Sequence, residues 1–313
     1  MKPRIVLLLT ALLATPLLCS DAFAWSRPGH MVSAAIAYHE LSAQERRIID
    51  KIVSLAGKHP DRGAFEVAIG RATGEERSRR VFMELARWPD DIRGGVYDHP
   101  TWHYWSRPIV DSGSPPSRLP EDVPQGSAME AFALNVSVAA DPRAPAGERA
   151  VALCWIFHLV GDMHQPLHAV SQVSQRFPEG DRGGSMQFVL EPIDRKPVSL
   201  HWFWDDSVNR DGEPEAAMRQ AADLMRRLPR SEFKDLQPFR NATEFSTWAQ
   251  ESHQLAVTIA YTPDLRAGDS AATAPELPKK YVDQSLQTAE QRLTLAGYRL
   301  AEVLRWVFRQ QAR

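Results

Sequence analysis

The segment from Ala150 to His168 reads AVALCWIFHLVGDMHQPLH, and its first ten residues carry apolar side chains at the 3.6-residue spacing of a helix. Within it, His158 and Asp162 stand at i and i+4, so a helix would project imidazole and carboxylate from one face. Such a pair suits a divalent ion, although i,i+4 His–Asp contacts also occur as plain surface hydrogen bonds. Pro166 is expected to break the helix and let His168 turn back toward the same cavity.

The same helical spacing recurs outward from this segment. It runs through Met31–Leu41, Ala128–Ala139, Ala216–Leu228, Phe245–Ala260 and Tyr281–Val307. Alternating patterns are scarce, Met186–Leu190 being the best short strand candidate, and loops rich in turn formers occupy Asp111–Gly126 and Phe177–Ser185. The expected fold is all-α, a single-domain helical bundle with long loops around its chemistry. No internal repeat or linker divides it.

Met1-Lys2-Pro3-Arg4, an apolar run from Ile5 to Leu18, then Ala22-Phe23-Ala24, follow the charged, apolar and small-residue order of a signal peptide. Residues 1–24 are therefore expected to be a leader and 25–313 the domain, placing the product in the periplasm or outside the cell. Cys19 is a poor lipidation site, since Pro16-Leu17-Leu18 precede it. No later segment reads as a membrane span. Without the leader Cys154 is the only cysteine, so no internal disulfide can form. The 37 Lys+Arg and 39 Asp+Glu, less Lys2, Arg4 and Asp21, leave a net charge of −3. That balance matches a polyanion poorly, so affinity for one would need a local source of positive charge.

Chemistry concentrates in the ten histidines. His201 and Asp205 form a second H-x-x-x-D pair, and two such pairs together with His168 favour metal over surface hydrogen bonding. Cleavage after Ala24 would give Trp25 a free α-amine five residues before His30, and amine nitrogen with its own carbonyl oxygen can chelate a metal. Asp90, in Trp88-Pro89-Asp90-Asp91, and His103, in Trp102-His103-Tyr104, add two more candidate ligands. His164, six residues after His158, points elsewhere round a helix and reads as a support for the ligands or a structural residue, not a direct ligand. His39, His59 and His253 lack metal-like neighbours, and Asp91 and Asp206 read as orienting groups.

The order Trp25, His30, W-x-D with Asp90, His103, H-x-x-x-D-M-H-Q-P-L-H, G-G and L-H-x-x-W-D resembles the zinc-dependent single-strand nucleases typified by mung bean nuclease. The likeness extends to Trp248-Ala249-Gln250-Glu251-Ser252, Ala256 and Tyr261. More distant relatives are the bacterial zinc phospholipases C. The resemblance implies three Zn²⁺ ions: one on Asp90, His103 and His158, one on Trp25 and His30, with Asp162 bridging those two, and a third on His168, His201 and Asp205. Three zincs against three aspartates leave about three positive charges, the local attraction for phosphate that the net charge lacks.

It further implies a zinc-activated water attacking the phosphodiester bonds of single-stranded DNA and RNA, with 5′-phosphate products. 3′-Nucleotidase activity is compatible with the same site. No stable protein partner is implied. Tyr104 is the first choice for a base-stacking platform. Two departures affect phosphate contacts: Ser106 and Ile109 stand where some relatives have Asp and Lys, leaving Arg107 the nearest cation, and Gly183-Gly184-Ser185 replaces G-G-N, so a Ser185 hydroxyl takes the place of an amide. The rival activity is a zinc phospholipase C. Against it stand the short Trp25-to-His30 interval and Asp205 where that group has Glu.

Overall fold

The computed structural model describes residues 25–42, 44–116, 125–263 and 265–311. The leader expected at 1–24 lies outside them. The described residues form ten α-helices: α1 Arg27–Ser42, α2 Arg46–Ala56, α3 Arg62–Ile69, α4 Gly74–Asp91, α5 Ala128–Ala140, α6 Ala146–Asp162, α7 Leu200–Asp205, α8 Pro214–Arg227, α9 Glu244–Leu255 and α10 Lys279–Gln310. The all-α expectation holds. The six periodic segments all become helices, and Phe188–Leu190 becomes a strand as expected. Four helices, α2, α3, α4 and α7, go beyond that reading.

Helix α6 is the axis of the molecule. Every residue from Ala152 to Asp162 is buried, as a helix apolar on nearly all sides must be. It packs against α1, α4, α5 and α10. The 32-residue α10, about 48 Å long, lies along α1, where Gly297 lets the two backbones approach closely. A Cβ on Gly297 would sit 2.5 Å from Ile36 Cβ and 2.8 Å from the Ser33 carbonyl oxygen. One large apolar cluster surrounds α6, including Tyr38, Phe82, Phe132, Trp155, Phe157 and Phe245. A smaller one gathers Trp25, Met31, Ala221 and Leu293 between α1, α8 and α10.

Two small sheets serve the helices. β1 (Arg107–Val110) runs parallel to β2 (Val170–Val173), pairing Arg107 with Val170 through Val110 with Val173. Each strand follows a one-turn 3-10 helix, Pro100–His103 and Pro166–Ala169, so their pairing sets His103 beside His168. The antiparallel pair β3 (Phe188–Leu190) and β4 (Pro197–Ser199) leads directly into α7. The Ser199 hydroxyl accepts the amide of Trp202 and caps that helix.

The turn after α6 differs in detail from the sequence reading. The helix stops at Asp162, before Pro166. Pro166 instead opens the following 3-10 turn, and it excludes helical backbone at Gln165, whose φ and ψ are −86° and 119°. His168 turns back into the same cavity as expected, its Nδ1 2.6 Å from the His103 carbonyl.

Candidate metal centre

Helices α1, α4, α6 and α7 and the two 3-10 turns converge on three groups of buried side chains. In the first, His158 Nε2 lies 2.9 Å from His103 Nδ1, 3.3 Å from Asp162 Oδ2 and 3.7 Å from Asp90 Oδ1. His103 Nδ1 is 3.3 Å from Asp162 Oδ2 and 3.9 Å from Asp90 Oδ1. Four ligands about 2.0–2.1 Å from a tetrahedral zinc lie about 3.3–3.4 Å from one another, so these edges frame a cage of that size.

The second group shares Asp162. Its Oδ1 faces His30 Nε2 at 3.2 Å while Oδ2 faces the first cage, so one carboxylate addresses both. Gly161 makes this approach possible: a Cβ there would come within 2.6 Å of His30 Nδ1. The His30 and His158 rings stack with centroids 3.9 Å apart. Trp25, fully buried, packs beside Gly161 and Gly29, and the following amide, Ser26 N–H, donates to the Asp205 carbonyl at 3.1 Å.

The third group is His168, His201 and Asp205. The imidazole Nε2 atoms are 3.0 Å apart, and His201 Nε2 is 3.5 Å from Asp205 Oδ2. His168 Nδ1 donates to the His103 carbonyl at 2.6 Å and His201 Nδ1 to the Gly183 carbonyl at 2.8 Å. Carbonyl oxygen only accepts, so in the neutral rings both facing Nε2 atoms carry lone pairs. Two lone pairs at that distance repel unless a cation lies between them. His158 Nδ1 is committed in the same way to the Ala86 carbonyl at 2.8 Å. Imidazoles fixed by carbonyls on their far nitrogens are the usual support for metal ligands.

Electrostatics points the same way. Burial pushes Asp90 up to about 7 and moves Asp162 and Asp205 well above the usual carboxylate range, with neighbouring carboxylates adding to the effect. Burial lowers His158 to about 3 and drives His30 and His103 well below the ordinary imidazole value. Among the described residues neither oxygen of Asp162 has a hydrogen-bond partner, nor have Asp90 Oδ2, Asp205 Oδ2 or the ring nitrogens of His30. Buried acceptors left unpaired cost several kcal/mol in ordinary cores, at roughly 1–3 kcal/mol each. Divalent cations would satisfy them together, and the donor set of imidazole and carboxylate fits zinc. The structure thus brings His30, Asp90, His103, His158, Asp162, His168, His201 and Asp205 into one buried region, with Trp25 at its edge.

The remaining candidates fall around this centre. Tyr104 follows His103 directly, half-buried, its ring packed on Gly126, a residue at φ +73° that leaves no room for a Cβ. Ser185 follows the Gly183-Gly184 turn that holds His201, and its buried hydroxyl has no hydrogen-bond partner among the described residues. Arg107 is exposed at the start of β1, its guanidinium 5.6 Å above the Trp105 ring. Trp25, Trp155 and Trp204 are buried in the core, whereas Trp202 is 37% exposed. His164 is structural, as the sequence suggested: Nδ1 donates to the Val160 carbonyl, and Nε2 accepts from Arg299 at 2.8 Å. Asp91 pairs with Arg27 and Arg87, and Asp206 with Arg210.

Two residues escaped the sequence reading. Arg93 sets its guanidinium 3.1 Å from Asp90 Oδ1, a cation at the margin of the first cage. Gln165 donates from Nε2 to Asp205 Oδ1 at 2.6 Å and accepts the Leu167 amide through Oε1. The W-x-D and D-M-H-Q motifs placed both near ligands, but a lone polar residue has no periodicity to announce its role.

Comparison with known proteins agrees with this geometry. Residues 25–309 match the family described as S1/P1 Nuclease. The chain is also 29% identical, over 165 residues, to Endonuclease 2 of Arabidopsis thaliana. That match covers 50% of this chain and 51% of the relative, so it spans about half the length of the curated protein.

Proposed function

The chain belongs to the S1/P1 nuclease family, and from that premise we propose that it is a zinc-dependent endonuclease. It hydrolyses phosphodiester bonds of single-stranded DNA and RNA to 5′-phosphate products, and it removes 3′-phosphate from nucleotides at the same site. The observation that carries the reading is the divided carboxylate of Asp162, whose two oxygens face separate imidazole groups and lack any hydrogen-bond partner among the described residues.

Three zinc ions are assigned, one on Asp90, His103 and His158, one on His30 with the amine and carbonyl of Trp25, and one on His168, His201 and Asp205. Asp162, with one oxygen toward each group, would serve both of the first two. Bound zinc supplies Lewis-acid activation of a water nucleophile and neutralises charge growing on the phosphoryl and leaving oxygens. The chain's own contribution is to hold neutral imidazoles and charged aspartates in fixed orientation. Arg93 adds a cation beside Asp90, suited to a phosphate oxygen. Tyr104 offers an aromatic face beside a ligand, where an unstacked base gains roughly 1–3 kcal/mol. Duplex bases are already stacked, which accounts for the single-strand preference.

The protein acts outside the cytoplasm, in the periplasm or the medium, after removal of residues 1–24. Among the described residues no helix is long and apolar enough to cross a membrane. The test compares hydrolysis of denatured DNA, RNA and a choline phospholipid by the processed protein, before chelation, after it, and after zinc is restored. The nucleic acids should be cut and activity should follow zinc. Preference for the phospholipid would assign the site to a phospholipase C instead, and undiminished cutting without metal would refute the mechanism.

A further inference from the structure

The turn linking Asp162 to His168 rests on a buried polar network from α9 and α10, two helices that carry no candidate ligand. Every backbone carbonyl from Leu159 to His164 has a partner. Leu159 accepts the amide of Met163, Gly161 that of His164, and Asp162 that of Gln165. The others are met by side chains: Val160 by His164 Nδ1 at 2.7 Å, Met163 by the Ser252 hydroxyl at 2.7 Å, and His164 by Arg292 Nε at 3.3 Å. Helix C-termini leave such carbonyls unpaired, and cations there are favoured by the helix dipole.

Arg292 and Arg299, 5% and 6% exposed, are clamped by one carboxylate. Glu251 accepts from Arg292 Nη1 at 2.7 Å and from both terminal nitrogens of Arg299 at 2.7 Å. Arg292 Nη2 donates to the Ser252 hydroxyl at 2.9 Å, and Arg299 Nη1 to His164 Nε2 at 2.8 Å. Burying two guanidiniums against one carboxylate is poor design for stability alone, because apolar side chains of the same volume often serve as well or better. It is good design for fixing one backbone conformation. The fixed backbone leads straight to the site: His164 precedes Gln165, and the Gln165 amide holds Asp205 Oδ1 at 2.6 Å.

We propose that Arg292, Ser252 and Glu251 are positioning residues that set the geometry of the metal ligands on either side of this turn, Asp162 and His168, and through Gln165 that of Asp205. The inference rests on the zinc reading above. Arg292→Met removes the donors to the His164 and Trp248 carbonyls, to the Ser252 hydroxyl and to Glu251, whereas Ser252→Ala removes the donor to the Met163 carbonyl and one acceptor of Arg292. Both variants and the wild type are compared as folded proteins by circular dichroism, by the rate of zinc release to a chelator, and by the visible bands of the cobalt-loaded form.

Zinc release roughly 10–100-fold faster than wild type is expected for Arg292→Met, the range typical when groups supporting metal ligands are removed, with a smaller change for Ser252→Ala and shifted cobalt bands in both. Folded variants with wild-type release and an unchanged cobalt spectrum overturn the proposal, whatever their melting temperature. Should Arg292→Met fail to fold, Ser252→Ala decides alone. A wild type that takes up no zinc instead refutes the functional reading on which the proposal stands.

Discussion

Asp162 is the residue on which the two shared cages depend. Asp162→Asn keeps the shape but loses one anionic oxygen, so turnover on single-stranded DNA should fall by more than about 100-fold, exceeding the roughly 10–100-fold typical of groups that merely support ligands. His164→Ala, two residues on, leaves every proposed ligand in place and should cost less than about tenfold. Equal activities in a steady-state assay would contradict the bridging role. The carboxylates also dictate a pH dependence. Burial lifts Asp90 to about 7 in the folded protein, so as pH falls through 7 its carboxyl takes up a proton that zinc must displace. The imidazoles, held far below their ordinary values by burial, compete for protons only at much lower pH. Zinc affinity should therefore weaken from pH 8 to pH 6, with proton release measurable by titration calorimetry in buffers of different ionisation enthalpy. Affinity flat across that range would contradict the assignment of Asp90.

At the scale of elements, two glycines separate site from scaffold. Gly161→Ala would thrust a methyl group to 2.6 Å from His30 Nδ1. It should displace that ring and lower the zinc content while α6 still forms. Gly297→Ala collides with Ile36 between α1 and α10, and overpacking of this kind costs about 1–3 kcal/mol. It should lower the melting temperature yet leave turnover per folded molecule unchanged; the reverse pattern would misplace both glycines. The helix carrying His158/Asp162 was legible from its apolar periodicity, and the His201/Asp205 pair from its i,i+4 spacing, although the short α7 around that pair was not. The helix that carries Asp90 was not, since α4 is rich in charge along its exposed face and contains Pro89 near its end. The network around Arg292 was invisible for another reason. Its contacts to His164 span 128 residues, and nothing in either segment alone marks the pairing. Carbonyls that orient imidazoles, Ala86, His103 and Gly183, are equally silent, since every residue has one.

As a whole, the described residues form a helical shell around a buried set of unpaired acceptors. Among the described residues no disulfide ties it together; Cys154 is buried and free. Bound cations should therefore carry a large share of the stability, and chelation should lower the melting temperature as well as abolish cutting. The modest negative net charge becomes compatible with a polyanionic substrate only when that positive charge is in place. The central claim is most directly tested by elemental analysis of the processed, active protein. About three zinc atoms per chain are expected, whereas a preparation with full nuclease activity and less than one metal atom per chain would contradict it.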